Sequence, residues 1–362
     1  MKLAPKPGVL AIAPYVGGRA TVAGVDEAIK LSSNESALGP SPAAAEAYEK
    51  ACRAMSIYPE GSAEILREAI GRTYGLDPAR IVCGNGSNEL LTLLANAYVR
   101  PGDEVMFTQY AFIVYRLATL SNSGVPVAVP ENDYRADVDA MLAKLTPKTR
   151  MVYLANPNNP TGTWLTRAEL RRLHAGLRPD TLLVIDSAYA EYVKERDYED
   201  GLELAGRHAN VVMTRTFSKV YALAGLRVGW AYGSAEVVDV LHRVRDPFNV
   251  SVPSQHAAVA ALGDRDHVRR SVEHNERWRA WLTEAIRAAG LAVIDSVGNF
   301  VLIRFPSAPG KTAADADRYL CARGLILRSV ANYGLPDCLR LTVGPEEPNR
   351  AVAKHLADFM AG

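Results

Sequence analysis

No apolar run in this chain reaches the roughly 20 residues that a membrane-spanning helix requires. A dominant charge is missing too: 41 Lys and Arg stand against 40 Asp and Glu, a net charge of +1. No bulk field therefore draws the protein to nucleic acid or to anionic lipid. Cysteine is scarce. Cys52, Cys83, Cys321 and Cys338 form no CxxC pair, and none sits near a pair of histidines. That argues against a metal site and for free thiols in a reducing compartment. The first 20 residues are interrupted by Pro5, Pro7, Gly8 and Pro14, unlike the apolar stretch of a signal peptide, so the cytoplasm is the expected location. Internal repeats and low-complexity segments are absent as well.

What is present is a soluble globular composition, 48% hydrophobic and 22% charged over 362 residues. That length predicts a large α/β domain and a smaller one. Residues 151–154, 181–185 and 211–213 are short apolar runs about thirty residues apart. This is the period of βαβ units, and unbroken apolar runs predict strands buried on both faces. Between the first two, Thr166 and Glu169 form a capping box, with Leu165 and Leu170 as its hydrophobic staple. Residues 81–83 predict another strand, followed by a helix from Ser87 that stops before Pro101. After about residue 265 the pattern becomes α+β: a long basic and aromatic helix, several short strands, and a last helix over 351–359. The expected division is an N-terminal arm (1–40) that joins the small domain or a dimer contact, a large domain (41–260) and a small C-terminal domain (261–362).

In open α/β sheets ligands bind beyond the carboxyl ends of the strands, and four such ends carry chemical groups. The strand at 211–213 leads to Thr216-Phe217-Ser218-Lys219, with Arg227 two helical turns' length further on. A lysine amine can form a Schiff base with an aldehyde, and a serine with an arginine can hold a phosphate. The strand at 181–185 ends in Asp186, with Tyr189 close behind. A buried carboxylate there needs a partner: a helix cap or ion pair, or else a protonated ring nitrogen. Gly84-Asn85-Gly86-Ser87-Asn88 opens a helix and suits an anion, although a plain strand-to-helix turn reads the same way. The strand at 151–154 runs into Asn156-Pro157-Asn158-Asn159-Pro160-Thr161-Gly162, a rigid turn able to aim an amide. These ends converge only if the strands are parallel.

Together these strings, with Leu31 to Ser36, Tyr58-Pro59, Pro247 to Val250 and Leu339 to Gly344, resemble the class I/II aminotransferases along nearly the whole chain. Within them they are most similar to the histidinol-phosphate aminotransferases. The resemblance implies the aspartate-aminotransferase-like α/β fold (PLP fold type I): a mostly parallel central sheet flanked by helices, plus a smaller α+β domain. It implies pyridoxal 5'-phosphate as cofactor and no metal. Lys219 would bind the cofactor covalently and move the proton, Asp186 would face the pyridine nitrogen, and Asn159 and Tyr189 the ring hydroxyl. Ser87, Asn88, Ser218 and Arg227 would hold the phosphate. Tyr58 would reach the phosphate of a second subunit, so a homodimer is implied. Phe112 would stack on the ring, with Tyr110 as the alternative, since Gln109 to Tyr115 departs from the family's usual proline-containing string.

Arg340 alternates with Leu339 and Leu341 on a strand. By resemblance it would fork onto the acidic group of the substrate, with Arg328 in support and with Tyr15 and Asn34 lining the cleft. The implied reaction exchanges an amino group between glutamate/2-oxoglutarate and histidinol phosphate/imidazole-acetol phosphate in two half-reactions. An aromatic amino-acid aminotransferase and a decarboxylase of a phosphorylated amino acid are the rival readings.

Overall fold

The unbroken apolar runs fold as strands buried on both faces, as their lack of alternation requires. A computed structural model of the chain describes residues 3–14, 17–22, 24 and 27–362. A short β1 (Ile29–Lys30) comes first. Seven strands follow: β2 (Ile81–Gly84), β3 (Glu104–Thr108), β4 (Val125–Val129), β5 (Thr149–Ala155), β6 (Leu182–Asp186), β7 (Val211–Thr216) and β8 (Gly229–Tyr232). They form one sheet in the order β2-β8-β7-β6-β5-β3-β4. β3 to β7 run parallel, and β8 is antiparallel to both of its neighbours. Two reversals cancel, so β2 points the same way as β5, β6 and β7. Their carboxyl ends share one edge, and the loops at that edge carry the chemically distinctive residues.

Three of these strands, β3, β4 and β8, were not legible in the pattern. β4 carries Pro126 and lies at the sheet's edge, where a missing N–H is tolerated. β8 opens with Gly229, where a methyl group would sit 2.6 Å from the carbonyl carbon of Gly86. Only a glycine lets these two chain segments pass so closely.

The C-terminal part adds β9 (Ala292–Ile294), β10 (Phe300–Arg304), β11 (Leu325–Ile326), β12 (Arg328–Ser329) and β13 (Cys338–Thr342). A four-stranded antiparallel sheet has the order β12-β13-β10-β9, while β11 pairs in parallel with β1. Leu31 packs into the apolar cluster of this part, among Leu339, Leu341 and Leu356, so the N-terminal segment is joined to it. The helix Arg265–Ala288 spans both parts: Val268 and Val272 pack on the cluster of the large sheet, Trp278, Leu282 and Ile286 in that of the small one.

Local signals act where the sequence places them. Thr166 and Glu169 make the reciprocal capping box of helix Arg167–Ala175. Helix Ser87–Tyr98 stops before Pro101. The last helix starts at Glu346, ahead of the expected residue 351. Pro348 lies in its first turn, where the N–H has no helical partner to lose. Among the described residues, no helix is long and apolar enough to cross a membrane, and no cluster of His, Cys, Asp or Glu could hold a metal ion.

Candidate active site

A cavity of about 310 Å³ opens at the carboxyl edge of the large sheet, and the small sheet closes its other side. Lys219, just beyond β7, faces into it. Its amine donates to the carbonyls of Ser33 at 3.3 Å and Asn34 at 3.4 Å. Burial, with the positive charges of Arg340 and Arg227 nearby, brings this amine down to about 8. A larger share of it is therefore neutral and nucleophilic at neutral pH than for an ordinary lysine.

Asp186 closes β6 and is only 5% exposed. The Tyr115 hydroxyl donates to its Oδ2 at 2.8 Å, and the Thr214 hydroxyl to Oδ1 at 3.5 Å. Burial outweighs these donors and raises the carboxyl to about 6. A cation beside it would hold it ionised, and a protonated ring nitrogen has that charge. Tyr115 itself is fully buried and stacks on Tyr153 at 4.7 Å. Its bond to Asp186 went unread because the two residues are 71 positions apart.

The other end of the cavity is built for an anion. Helix Ser87–Tyr98 begins after Gly86, whose lack of a side chain leaves the first N–H groups uncapped. Arg227 donates to Ser218 Oγ at 3.3 Å, and its other terminal nitrogen occupies the space that a methyl group on Gly86 would take. Asn249 supports the turn, donating to Glu89 at 2.7 Å and to the Cys83 carbonyl at 3.3 Å. The nine residues from Lys219 to Arg227 are not the two helical turns that the spacing suggested. They form a bend and a single 3-10 turn, Ala224–Leu226, after which Arg227 takes a positive φ of 53°.

The third wall belongs to β13 and the N-terminal segment. Alternation sends Leu339, Leu341 and Val343 into the small core and turns Arg340 and Thr342 the other way. Arg340, 5% exposed, donates to the Asn159 side-chain oxygen and, at 2.7 Å, to the Ser32 carbonyl. Asn34 has a positive φ of 56° and is pinned on three sides. Its amide N–H reaches Thr342 Oγ1 at 2.9 Å, its Nδ2 the Tyr189 hydroxyl at 2.9 Å, and its carbonyl accepts from Asn299 at 3.0 Å. Arg328 lines the same cavity.

The structure thus gathers Ser87, Asn88, Phe112, Asn159, Asp186, Tyr189, Ser218, Lys219, Arg227, Asn34, Arg328 and Arg340 around one space. It does not bring in Tyr110, which packs against Tyr134 at a ring distance of 6.0 Å instead; Phe112 holds the cavity position. Tyr58 is also elsewhere, 79% exposed and stacked on Phe248 at 4.8 Å. Tyr15 lies outside the described residues. Thr216, Ser32 and Tyr333 line the cavity without having been assigned a role; Thr216 and Ser32 lie in strings that were read for their neighbours, and nothing around Tyr333 marks it. The uncapped helix start, the close-packed Gly86 and the buried Asp186 fit a phosphate-bearing aldehyde with a basic ring nitrogen.

A family model described as aminotransferase class I and II matches residues 26–356. The chain is 55% identical over 358 residues to the histidinol-phosphate aminotransferase of Nitrobacter hamburgensis, covering 99% of this chain and 98% of that protein. It is 53% identical to the enzyme of the same name from Maricaulis maris, over 99% of each chain. Among solved structures, a histidinol-phosphate aminotransferase from Sinorhizobium meliloti in complex with pyridoxal-5'-phosphate superimposes with a TM-score of 0.89 at 29% identity, covering 98% of this chain and 96% of that one.

Proposed function

The chain belongs to the class I and II aminotransferases, and we propose that it exchanges an amino group between histidinol phosphate and 2-oxoglutarate, a step of histidine biosynthesis, with pyridoxal 5'-phosphate as its cofactor. The near full-length identity to enzymes of that name carries the choice of substrate. When bound, the cofactor supplies an aldehyde to receive the amino group and an electron-withdrawing ring. The chain supplies everything else. The helix start at Ser87 and Asn88, with Ser218 and Arg227, holds the phosphate. Asp186, steadied by Tyr115, keeps the ring nitrogen protonated. Asn159 and Tyr189 would bond the ring hydroxyl, and Phe112 would cover a ring face. The Lys219 amine would anchor the cofactor and carry a proton to and from the amine-bearing carbon of the substrate. Arg340 and Arg328 grip a phosphate or a carboxylate equally well, which lets one site take both substrates.

The reading includes a homodimer and a cytoplasmic location. Met55, Ile57 and Tyr58 are 78%, 69% and 79% exposed and form an apolar patch with Phe248, which a second copy would cover as Tyr58 reached its phosphate site. The deciding experiment compares histidinol phosphate with phenylalanine as amino donor. Histidinol phosphate is expected to give the higher kcat/KM. Preference for phenylalanine would make the protein an aromatic amino-acid aminotransferase, and release of carbon dioxide would make it a decarboxylase.

A further inference from the structure

One half-buried carboxyl, with one of its oxygens sealed from solvent, lies beside the cavity loops and has had no part in the machinery described so far. Glu131 follows β4 and joins two loops of the cavity. The Tyr110 amide donates to its Oε1 at 3.1 Å, and Asn158 Nδ2 approaches the same oxygen at 3.5 Å. Tyr110 leads into Phe112, and Asn158 directly precedes Asn159. The carboxyl therefore ties the loop bearing the ring-facing aromatic to the turn bearing the ring-facing amide.

Two oxygens at this junction are sealed from solvent and receive no donor: Glu131 Oε2 and Asn158 Oδ1. The groups that bond the carboxyl are the Thr108 hydroxyl at the end of β3, the Tyr110 amide just beyond it and Asn158 in the turn, all uncharged. An ionised carboxylate would have hydrogen-bond donors on one oxygen but no cation beside it. A carboxylic acid brings one O–H donor, and one proton shared between Glu131 Oε2 and Asn158 Oδ1 would give each a partner. The rest of Asn158 is already fixed. Its Nδ2 donates to Thr161 Oγ1 at 3.1 Å, its N–H to the Thr163 carbonyl at 2.8 Å, and its carbonyl accepts from Gly162 at 2.8 Å.

We propose that Glu131 is a positioning residue that works as a neutral acid, donating from Oε2 to Asn158 and so locking the turn that presents Asn159 to the cofactor. Burial raises this carboxyl to about 7, the direction such a role needs. The inference rests on the proposed cofactor site, and its test separates the two. Wild-type protein titrated with pyridoxal phosphate reports on the site itself: a protein that develops no absorbance band removes the site reading before any variant is made. Given a band, Glu131→Gln, which keeps one donor and one acceptor, is expected to retain wild-type cofactor affinity and the wild-type pH midpoint of the band. Glu131→Ala is expected to weaken binding about tenfold and to move that midpoint, because the amide facing the ring oxygen is no longer fixed. Gln behaving like Ala, or Ala like wild type, overturns the proposal. Should the Ala variant not fold, infrared spectroscopy of the wild type decides. A protonated-carboxyl band at pH 6 that Glu131→Gln removes is expected, and the absence of that band overturns the proposal.

Discussion

Gly86→Ala puts the phosphate cradle to its most direct test. Gly86 has φ +83° and ψ 162°, a conformation that glycine alone adopts readily and that costs another residue ~1–3 kcal/mol. The new methyl group would overlap Arg227 Nη2 and come within 3.1 Å of Arg227 Cζ. The guanidinium ends a flexible side chain, so it yields by swinging away from Ser218 and from the anion. Two consequences follow and can be measured apart. Thermal unfolding of the cofactor-free protein should drop by the backbone strain, which a typical stability of ~5–15 kcal/mol can absorb. Cofactor affinity should fall further, because a hydrogen bond to a charged group contributes ~1.5–3 kcal/mol, equivalent to a loss of roughly tenfold to a hundredfold. Spectrophotometric titration with pyridoxal phosphate measures this loss, with inorganic phosphate as competitor. Reduced stability with unchanged affinity would remove Arg227 from the cradle, and no change in either would refute the steric argument.

Lys219→Ala should still bind pyridoxal phosphate through the phosphate and ring contacts but resist covalent trapping by borohydride and lose transamination; a variant with full activity would mean that another lysine carries the chemistry. Because burial brings the Lys219 amine down to about 8, its neutral fraction grows about tenfold per pH unit below that value and levels off above it. The rate at which cofactor-free protein captures the aldehyde should follow that curve, and a rate still climbing steeply at pH 10 would place the amine in an ordinary environment. Arg340→Ala should lower kcat/KM for an anionic substrate by roughly a hundredfold, through the loss of its charged hydrogen bonds, while an uncharged amine of similar size loses far less; equal losses would deny Arg340 a role in recognition.

How much of this was readable depended on how locally each feature is encoded. β5, β6 and β7 showed as apolar runs because burial on both faces favours apolar residues, and in β6 and β7 the polar ones, Asp186 and Thr214 to Thr216, come only at the carboxyl ends. The capping box showed because Thr166 and Glu169 are one turn apart. Arg340 could be assigned its side of β13 from alternation alone. β8 could not be seen: Gly229 to Tyr232 has no alternation, and its reversed direction answers to β2, more than a hundred residues earlier. The Tyr115 bond to Asp186 and the clasp of Arg340 on Asn159 join distant segments, so only the folded chain displays them. The helical spacing suggested between Lys219 and Arg227 failed because the chain there bends and makes a single 3-10 turn, with Arg227 in a left-handed conformation.

The 24-residue helix Arg265–Ala288 roots its first half in one apolar cluster and its second half in the other. At ~1.5 Å per residue it is a rod of roughly 36 Å, and bending it mid-span would break backbone hydrogen bonds. The lesser sheet is therefore held at a set standoff along this shaft, which fixes how far the guanidinium of Arg340 reaches over the mouth of the cleft.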